Sequence, residues 1–185
     1  MHDPLVKFPQ AAGFTLTEAL VVMALLGLMA SLGAPAMMSL RQQHQLQAQA
    51  EALWSSLALA RSEALRRQQR VTLCARASDS ACDASGNWQQ GWLVFADAND
   101  NAQFDLGEAL LEVHAELPAG VQLSVSSTAK AYYSYNAQGR SATPSGAFMA
   151  GSWRFCRPGS GLGWQVVGNA LGHPRLAKLG EPDCA

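Results

Sequence analysis

Residues 97–108 place oxygen-bearing side chains at positions 1, 3, 5, 9 and 12 of a loop: Asp97, Asn99, Asn101, Asp105 and Glu108. With the carbonyl of Gln103 at position 7, this is the spacing with which an EF-hand surrounds calcium, a hard cation that takes oxygen ligands. Two features depart from it. Ala102 stands at position 6, where the sharp turn favours glycine, and the flanking residues read as strands rather than helices. The competing reading is a polar hairpin loop whose Asp and Asn side chains bond their own backbone. Calcium is the one cofactor the sequence brings up; otherwise none is expected.

Other chemistry is sparse. Cys74, Cys82, Cys156 and Cys184 are even in number and all follow residue 70, which in an exported domain reads as a disulfide framework. Three connectivities are open. The preferred one joins Cys74 to Cys82 around a short Ser/Asp-rich loop and Cys156 to Cys184 to hold down the C-terminus. A four-thiol zinc site would want Cys-x-x-Cys pairs, and there are none. The histidines at 2, 44, 114 and 173 show no metal-ligand spacing. No Gly-x-Ser-x-Gly elbow is present, and Gly159-Ser-Gly-Leu-Gly163 has no strand-to-helix setting for a phosphate loop. The protein is not expected to be an enzyme.

The remaining anomaly is one carboxylate. Between Glu18 and Arg41 there is no charged side chain, and residues 19–40 are long enough to cross a bilayer core, which needs roughly 20 apolar residues. A charge near such a run costs roughly 2.5–3.5 kcal/mol on insertion scales and calls for a partner. A secretory signal cut at Ala34-Pro35-Ala36 would have too long an apolar core, with Glu18 inside it. A plain single-pass anchor leaves Glu18 unexplained. A buried helix of a soluble domain would not need to be apolar all round.

Gly13-Phe14-Thr15-Leu16-Thr17-Glu18 followed by this run resembles the class III signal of type IV pilins and pseudopilins. The resemblance implies cleavage after Gly13 by a prepilin peptidase, N-methylation of Phe14, and pairing of Glu18 with the N-terminal amine of a neighbouring subunit. A buried carboxylate is tolerable when so matched. Pro35 falls at the twenty-second mature position (35 − 13), where pilins often carry a kinking proline. Thr17 departs from the commoner Ile, and the leader is only weakly basic, with Lys7 set against Asp3.

Behind the run, Leu46, Ala50, Leu53, Leu57, Ala60 and Ala64 recur at spacings of 3 and 4, the mark of one buried helix face. The spacing predicts a helix over 14–69, ending in a solvated Arg/Gln stretch at 66–70. Short β-rich runs follow at 71–74, 88–95, 109–113, 121–125, 131–135, 147–149 paired with 152–156, 165–167 and 174–177. The expected fold is α+β: a long N-terminal helix packed on an antiparallel β-sheet domain. The divisions are a leader at 1–13, a transmembrane and assembly helix at 14–40, an amphipathic continuation at 41–70, and a periplasmic β-rich domain at 71–185. From Arg41 onward there are 12 basic and 12 acidic residues, a balance that gives no push toward nucleic acid.

Leu-Ala-Arg-Ser-Glu-Ala at 59–64, Val71-Thr-Leu-Cys74, Gly91-Trp-Leu-Val-Phe-Ala-Asp97 and the late cysteine narrow the likeness to the GspH/FimT family of minor pseudopilins and minor pilins. That resemblance implies a structural subunit of a type IV pilus or a type II secretion pseudopilus, priming the filament or standing at its tip. Its partners would be other pilins, the prepilin peptidase/N-methyltransferase and an inner-membrane assembly platform. It would sit in the bacterial inner membrane as a single-pass protein with the domain in the periplasm. The alternative is a DNA-binding minor pilin of natural transformation. Gly172-His173-Pro174-Arg175 lies where some FimT-like pilins carry a DNA-binding Gly-Arg-x-Arg motif, with His173 in place of the first Arg. Arg140, Arg154, Arg175 and Lys178 would be the residues involved, since phosphate contacts supply most non-specific affinity.

Overall fold

The computed structural model describes residues 13–126, 129–180 and 184, the side chains at 32–36 and 162 excepted. The leader expected at 1–13 lies outside these but for Gly13. The described chain is one long helix followed by antiparallel strands, and it divides into two units that meet between Gln42 and Gln43.

Helix α1 spans Leu16–Arg67. Thr15 caps it: its hydroxyl accepts from the amide of Glu18 at 3.2 Å, and its carbonyl from the amide of Ala19. This is the Thr-x-x-Glu signature of a helix start, with an acid where the helix dipole is positive. Pro35 lies within α1, and its side chain is outside the described ones. At the other end Gln68 adopts a left-handed backbone (φ 54°) that stops the helix two residues before the expected Gln69 end. In the last turn Arg66 and Arg67 both bond Glu63, and the two guanidiniums, Arg66 foremost, hold its carboxyl down at about 2.

Within the unit beginning at Gln43, the face expected from the 3-and-4 spacing is the buried one: Leu46, Ala50, Leu53, Leu57, Ala60 and Ala64 all lie in the main core. Against them pack two antiparallel sheets. The first contains β1 (Arg70–Ser78), β2 (Ala81–Cys82), β3 (Trp92–Asp97), β4 (Leu110–His114) and β6 (Tyr132–Tyr135), in the order β2-β1-β3-β4 with β6 also on β1. The second contains β5 (Gln122–Val125), β7 (Gly151–Arg157), β8 (Leu162–Gly168) and β9 (Pro174–Leu179), in the order β5-β7-β8-β9. Strand alternation feeds the core from one face of each sheet, through Leu73, Trp92, Val94 and Tyr133 in the first and Trp153, Phe155 and Val166 in the second. Trp153 sits edge-on to both Trp88 and Tyr133, at 5.7 and 5.2 Å between ring centres. On the far face of the first sheet Cys74, Leu93 and Phe95 form a smaller cluster beneath Phe104 and Tyr132.

Three local expectations need correction. Residues 88–90 form a 3-10 turn rather than the start of a strand: Trp88 is pinned by an Nε1 bond to the Lys130 carbonyl, and Gly91 (φ 95°) resets the chain before β3. The run at 147–149 does not pair with 152–156; Ala142 bridges Phe148, while β7 pairs with β5 and β8. The stretch 66–70 is not solvated throughout, because Arg70 is buried. Its guanidinium donates to Asp100 Oδ1 at 2.7 Å, to Ser134 Oγ, and to the carbonyls of Ala142 and Thr143. The disulfides are Cys74–Cys82 and Cys156–Cys184, the preferred pairing.

Candidate assembly site

The residues ahead of Arg41 offer surface rather than a pocket. Phe14, Leu16, Leu20, Met23, Leu26 and Met29 are each more than half exposed, and they fall on every side of the helix. Water is a poor solvent for such a surface, at roughly 25 cal/mol per Å² of apolar area. Glu18 stands at its front and is itself exposed. Among the described residues no helix is long and apolar enough to cross a membrane. The run expected to do so includes residues 32–36, whose side chains are outside the described ones.

In the loop after β3, the residues singled out as oxygen ligands come together, and their oxygens face N–H groups. The Asp97 carboxylate is buried and accepts from Thr72 Oγ1 at 2.8 Å and from the amides of Asn101 and Ala102. Glu108 accepts from the amides of Ala98 and Asp105. Asp105 accepts from the side-chain amides of Asn99 and Asn101, Asn99 first, which keeps its carboxyl below the usual range. Ala102 takes the left-handed conformation (φ 60°) that position 6 requires, without being glycine. These bonds make up the self-satisfied hairpin loop. Among the described residues, no group of three or more His, Cys, Asp or Glu side chains is placed to hold a metal ion.

The four basic residues do not converge. Arg154 lies between the buried Trp153 and Phe155, so it projects from the second sheet away from the core. In β9, Arg175 stands opposite Val167, and Lys178 opposite Trp164. Their odd separation of three residues puts these two side chains on opposite faces. Arg140 belongs to the turn after β6 in the first sheet, where its amide bonds Asn136 Oδ1. The Gly-His-Pro-Arg turn has a packing explanation of its own. Gly172 (φ 81°) lies so close to the Gly139 carbonyl that a Cβ would collide with it, and His173 Nε2 sits 3.4 Å from an Arg61 nitrogen. These placements give no support to DNA binding.

A polar cluster that sequence reasoning missed joins the helix to the first sheet. Trp92 Nε1 donates to Ser56 Oγ at 2.9 Å, and Ser56 donates to Glu112 Oε1 at 2.6 Å. Next to it His114 stacks on the Trp92 indole at 3.8 Å and bonds Gln49 Oε1. Burial, then the Arg76 charge, lowers the His114 pKa. The alternation of β4, which puts Glu112 and His114 on one face, was the available signal.

A helix with an unburied apolar front, an amphipathic continuation and antiparallel sheets packed on that continuation define a type IV pilin-like subunit. A model of the prokaryotic N-terminal methylation motif matches residues 9–34, and the model of type II transport protein GspH matches residues 49–172. The chain belongs to the GspH family. Among solved structures it is similar to the type IV minor pilin FimU of Pseudomonas aeruginosa, at 19% identity and a TM-score of 0.52. That alignment covers 76% of this chain and 92% of FimU. It is also similar to the minor pseudopilin EpsH of the Vibrio cholerae type II secretion system, at 12% identity and a TM-score of 0.51, over 75% of this chain and 99% of EpsH. At these identities the likeness is one of fold. No curated protein matches.

Proposed function

We propose that this minor pilin-like subunit is cut after Gly13, methylated on Phe14, and drawn from the bacterial inner membrane into a type IV pilus or type II secretion pseudopilus, where it primes the filament or stands at its tip. Its role is structural, without catalysis. The observation that supports this reading is the apolar front of α1, exposed on all sides with the single carboxylate of Glu18 at its start. In the membrane that surface faces lipid; in a filament it faces the same surface of neighbouring subunits. Glu18 supplies registry by meeting the amine of a neighbour's Phe14, a match that makes its burial tolerable. Its partners are other pilins, the prepilin peptidase/N-methyltransferase and an inner-membrane assembly platform.

The test is fractionation of cells carrying Glu18→Ala and Gly13→Leu. Glu18→Ala is expected to be cleaved and to enter filaments poorly. Gly13→Leu is expected to keep its leader, visible as an unshifted gel band. Normal filament entry of Glu18→Ala would remove the registry role.

A further inference from the structure

The second sheet treats its two edges differently. At the β5 edge the Gln89 side-chain amide donates to the Val121 carbonyl at 2.6 Å and accepts from the Leu123 amide at 3.2 Å. A neighbouring strand would make these bonds, so a side chain seals that edge. The β9 edge has no such seal. Ser126 donates to the Ser152 carbonyl, so the even-numbered residues of β7 bond β5 and the odd-numbered ones bond β8. Carried through the unbroken register of β8, the alternation turns Arg175, Ala177 and Leu179 toward β8, and Pro174, Leu176 and Lys178 outward. The Trp54 Nε1 bond to the Pro174 carbonyl, at 3.1 Å, fixes the outward direction independently. The N–H and C=O groups of Leu176 and Lys178 therefore point away from the sheet, and among the described residues none of these groups has a partner.

A groove of about 740 Å³ lies on the same side, between α1 and β9. Ala48, Ala52, Trp54 and Leu176 line it, with Glu51 and Arg175 also on its wall. The two charges are of opposite sign, so the groove selects no net charge. What separates it from a plain apolar face is its rim of backbone donors and acceptors in strand spacing, which an extended main chain matches and a helix, with its own groups already paired, does not. Pro174 has no N–H and its carbonyl is taken by Trp54, so an added strand must stop there. The same edge of a second copy would bring Arg175 and Lys178 toward their like, which disfavours self-pairing.

We propose that the β9 edge takes an extended segment of a different protein chain as an added strand, bonded to the backbones of Leu176 and Lys178, with the apolar side chains of one face of that segment seated in the α1–β9 groove. The partner is a neutral, strand-forming segment with apolar residues at alternate positions. Main-chain bonds supply the affinity and the groove supplies the choice of side chain. With only two residues of open edge the contact is small and belongs to the transient class. It goes beyond the filament-subunit reading and does not depend on it.

The experiment is selection of a phage-displayed library of random heptapeptides on the full chain in detergent micelles, followed by fluorescence anisotropy with the selected peptides. These are expected to carry apolar residues at alternate positions and no proline. Lys178→Pro removes an outward N–H that the β8 ladder does not use, so the fold is spared, and it is expected to weaken binding about tenfold, the worth of one backbone hydrogen bond. Ala48→Arg, at an exposed position on the groove wall, leaves the edge intact, obstructs the groove and is expected to weaken binding by a similar factor. Methylating alternate backbone nitrogens of a selected peptide is expected to abolish binding in one phase of the alternation and spare it in the other, which side-chain contacts alone would not produce. No enriched sequence, apolar residues at the spacings of 3 and 4 of a docked helix, or affinity indifferent to both variants would each overturn the proposal. Self-association of the wild type that Lys178→Pro abolishes would make the occupant a second copy and overturn the assignment to a different chain.

Discussion

The two stretches of α1, residues 16–40 and 46–64, use the same few apolar residue types to opposite ends. In the first, the described leucines, valines and methionines point to all sides and stay exposed; in the second, one apolar face is fully buried, with Ala48 and Trp54 left exposed beside it. Apolar content alone says only that a helix will be covered. The angular distribution of that content says by what: a protein core takes one stripe, whereas lipid or a bundle of like helices takes the whole circumference. The difference gives stability to one stretch and leaves the other as the candidate for assembly.

Truncation should separate the two most clearly. Leu57→Ala removes a fully buried side chain and is expected to cost about 3 kcal/mol in denaturant unfolding. Leu25→Ala, on the exposed stretch, is expected to leave that transition within about 0.5 kcal/mol of wild type while lowering filament yield. Equal effects on unfolding would erase the distinction. A smaller loss is expected where the helix hands over to the sheet. Arg70→Met abandons four acceptors at once, and its expected cost is about 2 kcal/mol, since the Asp100 partner is largely exposed and can rehydrate.

Ser56→Ala leaves both the Trp92 indole N–H and Glu112 without a partner, at a cost of about 1–2 kcal/mol in the same unfolding assay. The neighbouring His114 adds a pH signature. Its folded pKa is below the ordinary 6.5, so the unfolded chain binds the proton better. Stability is therefore full above that value and declines as pH falls through it, and His114→Gln is expected to flatten this part of the curve. Glu63 has the same sign in a more acid window. Its folded pKa of about 2 lies below the ordinary 4.5, so its contribution is present above pH 4.5 and lost as pH falls toward 2. Glu63→Gln should change only that acid limb, the smallest effect of the set, because the ion pairs it makes lie at the domain surface, with Arg66 largely exposed and screened by solvent.

Much of this fold was legible because periodicity is a local property. The buried helix face followed from spacings of 3 and 4, and most strands from alternation bounded by Gly, Asn and Pro. The turn at 88–90 was not, since Trp-Gln-Gln is compatible with a strand until the indole finds the Lys130 carbonyl 42 residues away. Arg70 misled for the same reason: a cation at a helix end reads as solvated unless its acceptors, on β6 and two loops, are known to converge on it. At the assembly site, the apolar front and Glu18 were plain in the sequence, whereas the Thr15 cap was present as Thr-x-x-Glu and went unread.

The Cys156–Cys184 bridge closes against Gly163 of β8, where any side chain would occupy the space of the Cys184 sulfur. The closed bridge thus holds the tail against the paired strands β7 and β8. Since such bonds persist only in oxidising surroundings, the bridge acts as a time stamp. Molecules with a free Cys184 thiol are then those whose tail is not yet tied to β7, and alkylation of that thiol would count them.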